Sequence, residues 1–87
     1  MKNKLDSLLY LNVFNLVCRQ GDKRDGYYDY NGLTAWQDFD GYTCFLSDGT
    51  VTMTLMFHGR YDIDYPNKDA LEFFHKRVQK ISLFEQA

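Results

Sequence analysis

The stretch "DFDGYT", residues 38–43, sets two aspartates two apart, with glycine next and threonine two positions further on. Aspartyl-phosphate chemistry uses a carboxylate pair at that spacing: the first Asp attacks phosphorus and the second carries the proton. Asp62 and Asp64 form a second pair, on one face of an alternating segment and close enough to perturb each other's ionisation. His58 and His75 are the chain's two histidines, and neither has a partner at metal-ligand spacing. Cys18 and Cys44 lack CxxC spacing, so they make neither a disulfide framework nor a zinc site. They read as buried thiols in a reducing compartment. No serine lies in a nucleophile elbow, and no glycine-rich loop is present to cradle phosphate.

Context decides the first motif. "DFDGYT" resembles the Asp-x-Asp-Gly-Thr nucleophile box of haloacid-dehalogenase-type phosphotransferases, but its surroundings depart from that box. The nucleophile should end a buried apolar strand, whereas Trp36-Gln37 precede Asp38, and Tyr42 separates Gly41 from Thr43. A chain of 87 residues cannot supply the doubly wound sheet on which that chemistry sits. Read as a calcium loop from Asp38, position six is Thr43 instead of Gly and position twelve is Gly49 instead of Glu. "DIDYPNKD" fails the same test. The stretch is therefore expected to be a turn, with Asp bonding turn amides and Gly supplying positive φ. Asp62 and Asp64 read as the polar face of a strand. No catalytic residue, metal site or cofactor is expected.

Length and charge narrow the class. Residues 1–87 fit a single domain, and 45% hydrophobic with 17% aromatic residues supplies a core. A net charge of −2 gives no field to draw the chain to nucleic acid or an anionic membrane. The N-terminal "MKNKLDSLLYLNVFNLVCRQG" has a leucine run, but Asp6, Asn12 and Asn15 interrupt it and no small-x-small cleavage site follows. No stretch approaches a membrane span. A cytoplasmic protein without membrane contact is expected.

Periodicity supplies the elements. Leu5, Leu9, Val13, Leu16 and Val17 recur at helical steps, with Asn3 placed to cap the start and Gly21 placed as a left-handed terminator. Leu71, Phe74, Val78 and Ile81 mark a second helix after Pro66-Asn67, and its "HKRVQK" run reads as a solvated face. Between the helices, turn chemistry sets strand pairs. Asn31-Gly32 as a two-residue loop pairs Tyr30 with Leu33 and Tyr28 with Ala35. A four-residue loop at 38–41 pairs Gln37 with Tyr42, Ala35 with Cys44 and Leu33 with Leu46. Asp48-Gly49 as a two-residue loop pairs Leu46 with Val51, Cys44 with Met53 and Tyr42 with Leu55. A three-residue loop at 58–60 pairs Phe57 with Tyr61, Leu55 with Ile63 and Met53 with Tyr65. The expected fold is α+β: a two-layer sandwich, with an antiparallel meander of four to five strands and an N-terminal and a C-terminal helix packed on one face.

The same alternation directs Tyr27, Trp36, Phe45 and Met56 to the opposite face, amid Thr34, Thr43, Thr52 and Thr54. Threonine is simply a good strand former. Three aromatics and a methionine with no third helix to cover them make a candidate partner-binding surface. The expected function is a non-enzymatic interaction module that self-associates as a homodimer or docks another protein there. The alternative is a small-molecule binder or minimal enzyme with a pocket between helices and sheet, using tyrosines and the Asp62/Asp64 pair. Open-sheet aromatics suit base stacking, but Asp29, Asp62 and Asp64 share that face with no Lys or Arg, so nucleic acid is not an expected partner. "DFDGYT" together with "LSDGTVTMTL" is similar to small uncharacterised bacterial proteins of unknown function. That resemblance implies a bacterial cytoplasmic origin and no particular activity.

Overall fold

Apolar residues at three- and four-residue steps predict a helix at each end of the chain, and both form in the computed structural model. It describes residues 4–39, 41–56 and 60–83, with side chains from residue 8 onward. Asn3, Asp40, Phe57, His58, Gly59 and the side chains of Leu5 and Asp6 lie outside the described residues. Helix α1 spans Lys4–Gln20 and buries Tyr10, Val13, Phe14, Leu16 and Val17. Helix α2 spans Lys68–Ser82 and buries Phe74, Val78 and Ile81. Asn67 caps α2, its side-chain oxygen accepting from the Ala70 amide at 2.8 Å. That bond satisfies a donor with no partner inside the helix.

Gly21 ends α1 for a different reason from the one expected. It is absent from the positive-φ residues, and its amide donates to the Val17 carbonyl at 2.8 Å. What demands glycine is space: a Cβ here would stand 2.5 Å from the Val17 oxygen and 2.7 Å from the Asp29 oxygen. The end of α1 is thereby locked against the strand that carries Asp29.

Six strands follow in one antiparallel meander, and their spatial order is their chain order: β1 (Asp22–Arg24), β2 (Tyr27–Tyr30), β3 (Leu33–Gln37), β4 (Cys44–Ser47), β5 (Thr52–Leu55) and β6 (Tyr61–Asp64). This is more than the four to five expected, and β1 is the addition. Its signal is Asp25-Gly26, with φ of 53° and 85°, a pairing of positive values that recurs at Asn31-Gly32 with 49° and 86°. Both are primed two-residue turns, whose twist matches that of the flanking strands.

At Asn31-Gly32 the register is the expected one, with Tyr30 opposite Leu33 and Tyr28 opposite Ala35. The other three hairpins are each displaced by two residues. Ala35 lies opposite Leu46, Leu46 opposite Met53, and Met53 opposite Ile63. Local hydrogen bonds account for two of the displacements. At β4–β5 the loop has four residues, 48–51, because Asp48 Oδ1 accepts from the Thr50 and Val51 amides at 2.9 and 2.8 Å. Ser47 Oγ closes the same loop, donating to the Val51 carbonyl at 2.9 Å and accepting from the Gly49 amide at 3.0 Å. At β3–β4 the Asp38 amide donates to Thr43 O at 2.8 Å and the Gly41 amide to Asp38 O at 3.0 Å, so Asp38 still pairs and the loop is 39–42. A shift of two keeps every side chain on its face, because strand side chains alternate with period two.

The core joins both helices to Leu33, Ala35, Leu46, Val51, Met53, Leu55 and Tyr61 of the sheet and its loops, with Tyr28, Tyr30, Cys44 and Ile63 half-buried beside them. Tyr42 and Tyr65, also expected on this face, are 66% and 43% exposed. Both lie beyond the paired strands, Tyr42 in the 39–42 loop and Tyr65 past the end of β6.

Candidate functional site: the open aromatic face

The displaced register brings together what the expected one left diagonal. Across the sheet, one row on the face away from the core reads Arg24, Tyr27, Trp36, Phe45, Thr54 and Asp62. Trp36 and Phe45 are directly opposite and stack with ring centroids 5.2 Å apart and planes 13° from parallel. Tyr27 stands 5.2 Å from Trp36 on the other side, tilted by 50°. A three-ring array therefore spans β2, β3 and β4. Trp36 and Phe45 are half-buried by one another and by Tyr27, while Tyr27 stays 45% exposed. Met56 is half-buried at the end of β5, and its amide donates to Arg60 O at 2.7 Å, continuing the β5–β6 register by one pair. All four residues expected at this surface share it.

A second row reads Asp22, Asp29, Thr34, Ser47, Thr52 and Asp64. Asp22 directly opposes Asp29, a like-charge pair that costs stability by itself. Arg24 offsets it, its guanidinium reaching Asp29 Oδ2 at 3.1 Å. The Thr34 hydroxyl donates to Asp29 Oδ1 at 2.8 Å. That hydroxyl first and the guanidinium second hold the Asp29 carboxyl below the usual carboxylate range. Arg24 also corrects an expectation: the face does carry arginine, in β1 and, by the continued register, at Arg60. Lys23 points the other way, its ammonium 5.7 Å from the centre of the Tyr28 ring.

The remaining chemistry-bearing residues are dispersed. Tyr10 Oη lies 2.8 Å from His75 Nδ1, and the Tyr10 ring meets Tyr61 edge-on at 5.3 Å. These contacts tie α1 to α2 and β6. Cys18 and Cys44 are free and half-buried; burial first, then the charge of Cys44, pushes the Cys18 thiol up. Asp62 and Asp64 sit on the open side, with Tyr61 on the core side, so the carboxylates and that tyrosine do not line one pocket. Among the described residues, no group of three or more His, Cys, Asp or Glu is placed to hold a metal.

A groove of about 400 Å³ does run between α2 and the β2–β3 turn, lined by Asn31, Phe73, Lys76, Arg77, Lys80 and Ile81. Arg77 anchors it, donating to Asn31 O at 2.9 Å and lying 5.2 Å above the Phe73 ring. The basic run of α2 is thus partly committed to the fold, and only partly a solvated face. Among the described residues, no helix is long and apolar enough to cross a membrane. No curated protein and no solved structure matches the chain. Residues 5–86 do match a family model, that of the protein of unknown function family DUF3081, and the chain belongs to that family.

Proposed function

We propose that the chain is a non-enzymatic interaction module whose contact surface is the Tyr27–Trp36–Phe45 array with Met56 beside it. The observation that carries this reading is the three-ring array, Trp36 stacked on Phe45 with Tyr27 tilted beside it, on a sheet face that neither helix covers. Large aromatics are enriched at interfaces and dominate their energetics. Both helices are already committed to the opposite side, which leaves this array as a contact surface for another copy of this chain, as a homodimer, or for a different protein. Trp36→Ala separates a binding role from a structural one. The variant should remain folded, losing about 1–3 kcal/mol with its two ring contacts. Its association, followed as mass in solution by light scattering or by titration with a partner, should weaken by roughly 2 kcal/mol or more. Unfolding of the variant, or association unchanged from the parent, contradicts the reading.

Small-molecule binding is a second reading, favoured by one observation: the groove beside α2, whose three cations and exposed Phe73 suit an anion with an apolar body. Chemical-shift changes confined to Asn31, Phe73 and Arg77 on adding such an anion would support it over the first.

A further inference from the structure

We propose that the occupant of the open aromatic face is a basic segment of another protein, whose Lys or Arg stems lie on the Tyr27–Trp36–Phe45 array and whose charged heads reach the aspartates beside it. This rests on the interaction reading and adds the partner's chemistry. Charge carries it. By register, the face presents five carboxylates among the described residues, Asp22, Asp29, Asp38, Asp62 and Asp64, against the two guanidiniums of Arg24 and Arg60. Among the described side chains it holds no lysine, and one of these two arginines is spent on Asp29. This one surface is therefore more negative than the whole chain, whose net charge is −2. Lys and Arg lay their aliphatic stems along apolar surface while the head seeks a carboxylate, and aromatic rings attract the cation as well.

A second copy is a poor fit to the same surface. Laying β6 on β6 sets Asp62 and Asp64 against their own copies. Laying β1 on β6 gains an Arg24–Asp62 pair but sets Asp22 over Asp64. Juxtaposed like charges select against a partner. A phosphate-bearing polymer meets the same repulsion.

Trp36 is the chain's only tryptophan, so its fluorescence reports on this face alone. An Arg-Ser-Leu repeat peptide should change that fluorescence saturably, and a Glu-Ser-Leu counterpart should not. Salt should weaken the response. Asp62→Asn with Asp64→Asn should weaken it about ten-fold, as loss of two facing charges does. Asp69→Asn with Glu72→Gln removes the same charge from α2 and should leave it unchanged. Equal weakening by the α2 pair would reduce the binding to bulk charge and overturn the proposal. So would equal response to the Glu peptide. A chain that ignores both peptides but forms a dimer lost in Trp36→Ala would overturn the basic partner while leaving the interaction reading intact. A monomer that ignores both peptides would overturn the basic partner and leave the interaction reading without support.

Discussion

Asp38 and Asp48 show what a carboxylate next to a glycine-bearing turn does in this chain. Each points an oxygen back at the backbone: Asp38 Oδ1 accepts from the Phe39 amide at 2.8 Å, and Asp48 Oδ1 accepts from Thr50 and Val51. The spacing that resembles a nucleophile box is loop chemistry at Asp38. Asp38→Asn keeps the accepting oxygen, so denaturant unfolding should shift by no more than about 0.5 kcal/mol. Magnesium-dependent phosphatase activity should be undetectable, and an activity abolished by Asp38→Asn would contradict the turn. Asp48→Ala removes two amide partners and should cost about 1–2 kcal/mol. Among the described carboxylates, Asp29 carries a pH signature. Its folded pKa is depressed, so its contribution is present above the unfolded value of about 3.9 and is lost as pH falls through the lower folded value. In an NMR pH titration Asp29 should titrate below an ordinary aspartate, and Thr34→Val should bring it back up, since the Thr34 hydroxyl is the larger cause.

At the scale of elements, hydrophobic alternation settles faces and leaves pairs open. Leu46, Met53 and Leu55 are buried on the helix side under either register, because a slip of two moves no side chain across the sheet. At β3–β4 and β4–β5, which residues oppose each other was decided by Ser47, Asp48 and Asp38 hydrogen bonds that no periodicity reveals. The β1–β2 hairpin was legible in Asp25-Gly26, the same kind of signal that placed Asn31-Gly32 correctly. Its flanks, Asp-Lys-Arg and Tyr-Tyr-Asp, lack the apolar alternation that marks the other strands. Both helix ends were legible in position, at Asn67 and Gly21, but the reason for Gly21 was not, since it is contact with a strand distant in sequence. Leu46→Ala should cost about 2–5 kcal/mol, the range for emptying a buried leucine site. Gly21→Ala should cost about 1–3 kcal/mol, since the atoms its Cβ meets are backbone and must shift. Thermal unfolding of both variants checks the pair.

At the scale of the molecule, one side of the sheet is consumed by two helices and the other is left to a ring array among aspartates. Membership of that array was legible from alternation alone, since Tyr27, Trp36, Phe45 and Met56 all lie where period two puts them. Its compactness was not, because the Trp36–Phe45 stack depends on the register that the loops set. Nor were its charges complete without β1, which brings Arg24 and Asp22 onto the face. The central claim is that this face, and not the helix side, meets another chain. Photo-crosslinking in cells tests it most directly, with a benzophenone side chain in place of Tyr27 on the face or of Phe73 on α2, both exposed. The account predicts a discrete protein adduct from position 27, absent from position 73 and abolished by Trp36→Ala. Adducts from position 73 alone, or the same set from both positions, would contradict it.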